Sequence, residues 1–214
     1  MQRRLKNRKE QILDLALELL QTHGFESFSY QDLSRELGIT KASIHHHFPK
    51  KADLGVALCE VIQQWHEREF SRARNFTGSA MEKLDMYVKG TLKYACGDKK
   101  ICPLSSLQAD IASLPEAMRP ALKRMDDHEL DFIAELLEEG RVNGEFSFSG
   151  EARSQAILFV LTCKGALQYS RVHGSSVYDA AMAQMKALLL GQVSELGQST
   201  DPAATSGIDQ SARQ

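Results

Sequence analysis

The chain has 214 residues, 43% hydrophobic and 25% charged, with a formal net charge of −2. This is enough for a module of about 50 residues plus one larger body, and no apolar run approaches the ~20 residues of a membrane span. Its four cysteines, Cys59, Cys96, Cys102 and Cys163, show neither CxxC spacing nor histidines at zinc-finger spacing, so the sequence predicts no disulfide scaffold, no metal site and no bound cofactor.

The charge is unevenly spread. Residues 1–51 carry nine Lys/Arg against six Asp/Glu, whereas residues 52–214 carry seventeen against twenty-two. Five of the first nine residues are cationic, and they lead into an amphipathic helix rather than the apolar core of a signal peptide. A cytoplasmic location is expected. Such a cationic cluster suits a polyanion, which it contacts without reading sequence.

From the start, residues 8–23 place Ile12, Ala16, Leu19 and Leu20 on one helical face, and Phe25 and Phe28 follow as plugs of a small core. Residues 29–51, SYQDLSRELGITKASIHHHFPKK, read as two short helices about a tight turn. Ser29 and Asp32 have capping-box spacing, Leu33 and Leu37 form an i,i+4 stripe, Gly38 ends the first helix and Thr40 caps the second. Ile44 is the inward anchor of that second helix. At 100° per residue, Ala42 and His46 lie opposite it, flanked by Ser43 and His45, with Lys41 near the N-terminal end. A small polar face with cationic edges suits the major groove of B-DNA.

Residues 51 to about 74 form one long linking helix through Leu54, Leu58, Val61, Ile62 and Trp65, broken at NFTGS. Helical patterns follow at about 81–96, 104–113, 116–140, 151–171 and 177–196. Strand alternation is confined to 145–148. The last two helical segments are the most apolar, 156–163 on every side, which predicts burial in the bundle core and in a two-fold interface. The tail, 198–214, is polar and without period, and is expected to be disordered.

In order along residues 8–60, these features resemble the TetR family of bacterial repressors. The resemblance rests on the ordered set: the amphipathic first helix ending at His23-Gly24-Phe25, the DLSRELGITKASIHHHF stretch, then Lys51 and Leu54 opening a further helix. Two positions depart from the family's usual pattern: His45, where Tyr is common, and Pro49, where a small or polar residue is usual. The implied fold class is all-α, with a three-helix helix-turn-helix DNA-binding module (1–51) joined to a helical ligand-binding and dimerisation bundle (52–197). The implied partners are a double-stranded DNA operator, a second copy of the chain in a homodimer, and a small-molecule effector, with no membrane. Lys41, Ala42, Ser43, His45 and His46 are assigned to base edges, with Gln31 beside them, and Thr40, His47 and Lys51 to phosphates.

Within the bundle, Trp65, Met86, Cys102, Leu107 and Phe159 are assigned to the lining of a pocket between the linking helix and the middle helices. Met and aromatic stripes fit plain core equally well. The segment YACGDKKICPLSSL offers a redox alternative. Lys99, Lys100 and a helix start after Cys102 favour a reactive thiolate there, and Cys96 is near enough in sequence to resolve it. Consecutive histidines 45–47 point about 100° apart and cannot converge on one ion. No Ser-His-Asp ordering, phosphate loop or HExxH motif supports an enzyme.

Three readings remain open: a repressor released by a small, largely apolar ligand, a repressor switched by oxidation or alkylation at Cys102, and a helical ligand-binding protein or enzyme without DNA binding.

Overall fold

The computed structural model describes residues 7–95 and 100–192, with the backbone alone for 93–95. Among the described residues the chain is helical throughout: α1 (Arg8–His23), α2 (Tyr30–Leu37), α3 (Lys41–His47), α4 (Lys51–Arg74), α5 (Ala80–Ala95), α6 (Pro103–Ala109), α7 (Arg119–Val142), α8 (Ala152–His173) and α9 (Ser175–Leu189). A 3-10 turn, Glu116–Met118, precedes α7. None of these helices is long and apolar enough to cross a membrane.

The linking helix runs over the range its periodicity predicts, and the later elements depart from prediction at their ends. The helix predicted at 104–113 stops at Ala109. The one predicted at 116–140 opens instead as the 3-10 turn, with a proline in the first turn of α7. The alternation at 145–148 makes no strand. Phe146 is buried against Gly140, and the Ser147 N–H donates a single bond, 2.8 Å, to the Leu189 carbonyl. The predicted tail and the cationic residues 1–6 lie outside the described residues.

Two cores organise the chain. One gathers Ile12, Leu20, Phe25, Leu33 and Ile44 with Leu54, Leu58 and Ile62 of α4, and then takes in Leu104, Leu107, Met118 and Leu122. The other holds Phe70, Leu84, Tyr87, Phe132, Leu136, Phe159, Tyr178 and Met185. The boundary expected at residue 51 therefore crosses a continuous core rather than a linker.

Within the first core, α6 docks on the end of α1. Ser106 Oγ donates to the Leu20 carbonyl at 2.8 Å, and the Ile101 N–H to the Gln21 carbonyl at 3.0 Å. The carboxylate of Asp110 accepts from the Phe25 N–H at 2.8 Å. Contact is close enough at Gly55 of α4 that an added Cβ would collide with Met118 Sδ and lie 2.8 Å from the Phe25 ring.

On the far side, α8 packs against α7 and α9. The burial expected all round 156–163 holds on one face only in the single chain, where Ala156, Phe159 and Val160 are buried. Ile157, Leu158 and Leu161 are 41%, 46% and 64% exposed, an apolar strip that a lone soluble helix has no reason to present.

Candidate DNA-reading site and effector cavity

The two short helices form because each end is capped by the side chain the sequence supplies. Ser29 accepts from the Gln31 N–H while Asp32 accepts from the Ser29 N–H at 2.9 Å, closing the capping box of α2. Its Ser29 contacts hold the Asp32 carboxyl below the usual carboxylate range. Gly38 ends α2 at φ 62°, ψ 36°, a left-handed conformation with nothing near its missing Cβ, so conformation rather than space demands glycine there. Thr40 Oγ1 accepts from the Ser43 N–H at 3.2 Å and starts α3. Phe48, preceding a proline, leaves the helix in an extended conformation.

Ile44 is fully buried, and Tyr30 ties the start of α2 to the end of α3 by donating to the Phe48 carbonyl at 2.8 Å. Burial, then the charge of Asp53, pushes the Tyr30 phenol up to about 12, so it stays a donor. With the pair fixed from behind, Gln31, Lys41, Ala42, His45 and His46 are exposed together, and Ser43 and His47 are half-buried beside them. Thr40 is exposed, with its hydroxyl engaged as the cap.

Lys51 departs from its expected phosphate role. Its ammonium lies 4.8 Å from the Phe25 ring centroid and 5.0 Å from that of Phe28, and 3.8 Å from the Glu26 carboxylate. Burial lowers its pKa, against the pull of Glu26 and Asp110. The side chain is a clamp across the plugs of the first core, its ammonium engaged by two rings and a carboxylate.

The bundle carries a small cavity of about 10 Å³, room for about one water. Its walls are Val88, Phe159, Val160 and Leu167, the thiols of Cys102 and Cys163, and the polar atoms of Tyr87, Thr91, Glu129 and Lys164. Of the five residues assigned to a lining, Phe159 and Cys102 stand on this wall. Met86 sits one position off, where α5 presents Tyr87, Val88 and Thr91 instead, and Leu107 is fully buried in the first core. Trp65 is half-buried beside His66, the α4 residue that turns into the protein.

The expected thiolate at Cys102 is also corrected. The side chain is only 6% exposed, and burial raises its pKa against the help of the α6 backbone N–H groups. Lys100, expected beside it, instead stands 3.6 Å from the Glu18 carboxylate. Cys96 and Lys99 lie outside the described residues. An open groove of about 990 Å³ borders Cys102 on its other side, between Thr22 and the later turns of α8.

What the sequence reading missed is the charge inside the bundle. Glu129 of α7 is 5% exposed; its Oε1 accepts from the Tyr87 hydroxyl at 2.9 Å, and its Oε2 meets Lys164 Nζ of α8 at 2.8 Å. Burial pushes the carboxyl up, but the charge of Lys164 and the contacts with Lys164 and Tyr87 outweigh it and hold it below the usual range. Lys164 is held above its usual range by the same partner, against burial. His66 is buried, and neither ring nitrogen has a hydrogen-bond partner among the described residues. Burial, opposed by Glu129 and reinforced by Lys164 and His128, lowers its pKa and keeps the ring neutral. A signal was present: one charge on each of two apolar stripes, Glu129 among Met125, Phe132 and Ile133, and Lys164 within AILFVLTCKGAL.

Residues 12–58 match the family described as bacterial regulatory proteins, tetR family, and residues 80–186 match the tetracyclin repressor-like C-terminal domain. The HTH-type transcriptional repressor NemR of Escherichia coli is 26% identical over 185 residues, covering 85% of this chain and 93% of NemR. Its reduced form has been solved and superposes with a TM-score of 0.75. A TetR transcriptional regulator from Legionella pneumophila is similar at 27% identity and a TM-score of 0.80, over 87% of this chain and all of that one. A TetR-family regulator from Agrobacterium tumefaciens is 30% identical with a TM-score of 0.79, over 85% and 97%.

Two predictions follow from these side chains. Replacing Lys51 with Met lowers stability by about 1 kcal/mol through the lost ring contacts, and leaves the slope of log affinity against log salt on duplex DNA unchanged. A slope reduced by about one, read in a salt titration, would return Lys51 to the phosphates.

His66 makes acid destabilising. Because its folded pKa lies below the unfolded value near 6.5, the unfolded chain binds more protons in that window. The stability it contributes is complete above about pH 6.5 and is lost as pH falls toward the folded value. His66→Leu should raise stability by about 1–3 kcal/mol, by removing two unsatisfied nitrogens, and should flatten the decline in denaturant midpoint between about pH 7 and 5. An unchanged decline in the variant assigns the acid sensitivity to other groups.

Proposed function

Because the chain belongs to the TetR family of bacterial regulatory proteins, we propose that it is a cytoplasmic transcriptional repressor. In this reading it binds a roughly palindromic operator as a homodimer and is released by a small, largely apolar effector. The observation that carries the DNA half is the exposed cluster of Gln31, Lys41, Ala42, His45 and His46 on a helix pair anchored from behind by Ile44 and Tyr30. One seven-residue helix offers few base contacts, so useful specificity requires a second copy about 34 Å away, one turn of DNA. The exposed strip Ile157, Leu158 and Leu161 on α8 supports that pairing.

The effector half is supported by the cavity beneath α5, α7 and α8. With room for about one water, it has to widen for any larger guest, so a guest binds only a conformation other than this closed one. Glu129 joins α5 to α8 from one wall, and His66 brings α4, the helix that carries the DNA module, to the same region. Widening it alters how α4 is held. The mostly apolar wall favours an apolar guest carrying a polar group that meets Tyr87 or Lys164.

Leu161→Asp tests the pairing. It should yield a folded monomer by sedimentation that has lost sequence-selective duplex binding, while a dimer with intact binding places the interface elsewhere. Val160→Ile, whose one added methylene occupies the small cavity, tests the switch: it should leave duplex binding intact and weaken release by any compound that releases the native chain. Retained release would locate the effector outside this cavity, the open groove of about 990 Å³ beside Cys102 being one such volume.

A further inference from the structure

The two positions at which the sequence departs from the family's usual pattern touch each other. His45 Nδ1 lies 3.1 Å from the Pro49 carbonyl oxygen, one turn further along the chain. A carbonyl only accepts, so the ring proton sits on Nδ1. Pro49, unable to donate and preceded by the extended Phe48, ends α3 and leaves its carbonyl beside the ring. From the other side the ring packs edge-on against Tyr30, centroids 4.8 Å apart and planes at 68°, and Tyr30 is itself fixed on the Phe48 carbonyl. His45 is thus exposed yet held in orientation by two contacts.

That tether decides the chemistry of the free end. With the proton on Nδ1, the neutral ring presents Nε2 as a lone-pair acceptor, and no described residue engages it. Against a phosphate oxygen, or against guanine N7 and O6 or thymine O4, acceptor would face acceptor. The major-groove groups that complement it are exocyclic amines, N6 of adenine and N4 of cytosine. The Tyr usual at this position carries a hydroxyl that donates or accepts and makes no such choice.

We infer that His45 is a specificity-determining residue that reads an exocyclic amino group of adenine or cytosine through Nε2, its polarity fixed by the Pro49 carbonyl. The inference rests on the repressor reading above and adds which kind of groove group this residue contacts.

The test is selection of duplexes from a random pool by the full-length chain and by His45→Phe, which keeps a flat ring against Tyr30 and has no acceptor. The native chain should enrich a symmetric site, and the variant should enrich the same site with the preference lost at one base pair per half-site, a pair that holds either adenine or cytosine. In the selected duplex, replacing that adenine by purine, or that cytosine by pyrimidin-2-one, removes the amino group alone. Native affinity should then fall on the order of tenfold, and that of His45→Phe not at all. The analogue arm on the native chain needs no variant to fold. Native affinity unchanged by the loss of that amino group would overturn the assignment. So would affinity lost evenly over all sequences in His45→Phe, the mark of a phosphate contact through a doubly protonated ring. A native chain that enriches no sequence removes the repressor reading, and this inference with it.

Discussion

The chain works as one object because the end of α1 is bonded to α6. Asp110 accepts from the Phe25 N–H, Ser106 donates to the Leu20 carbonyl, and the backbone of Ile101 closes on Gln21. The Phe25 N–H and the Gln21 carbonyl lie at the end of the helical ladder and find their partners here, while the Leu20 carbonyl, already accepting from the Gly24 N–H, takes Ser106 as a second donor. The bundle supplies the missing partners, so α1 cannot tilt away from it without leaving buried polar atoms unsatisfied. Gly55 extends the same seam along α4, where the close approach of Met118 and Phe25 leaves no room for a side chain. A DNA module held at two points, α1 and α4, moves only when the bundle moves.

Inside the bundle the opposing constraint is electrostatic. Glu129 and Lys164 are a buried pair joining α7 to α8, and Tyr87 extends the connection to α5. Such pairs add little net stability, but removing one partner strands a charge. The beds of α5, α7 and α8 are therefore linked through polar atoms that tolerate few geometries, while the rest of the wall is apolar and forgiving. His66 brings α4 to the same place with two unsatisfied nitrogens. A core built this way is poised: its closed form keeps an unsatisfied group on the helix that carries the reading module, and an arrangement that satisfies that group can compete with it.

How far the sequence determined this picture can be judged element by element. Caps and periodicity were legible because they are local: Ser29 with Asp32, Gly38, Thr40 and the uninterrupted stripe of the linking helix all sit where their spacing puts them. Burial direction within an amphipathic helix was legible to about one residue, which is not enough for a cavity wall. Met86 and Tyr87 differ by 100°, and the structure chose Tyr87 because its hydroxyl reaches Glu129. Lys51 and Lys100 were misjudged for one shared reason. A cation in a sequence has no visible partner, and Glu26 and Glu18 come to them only through the fold. Cys102 followed, since its thiolate reading depended on Lys99, which lies outside the described residues, on Lys100, which is engaged by Glu18, and on solvent that burial removes.

Precision at the DNA-reading face is bought by rigidity rather than by size. A helix of seven residues is too short to be stable alone, so its few exposed side chains are useful only if the tertiary structure fixes them. Ile44 fixes the helix, Tyr30 fixes its end, and the Pro49 carbonyl together with the Tyr30 ring fixes one side chain upon it. Each step removes a freedom that would otherwise be lost on binding, when an ordered long side chain costs about 0.5–1.5 kcal/mol. Lys41, exposed without such a tether among the described contacts, keeps the freedom to adapt to the groove. The face therefore combines one oriented reader with an adaptable neighbour, and the oriented one is where a fixed base preference is built.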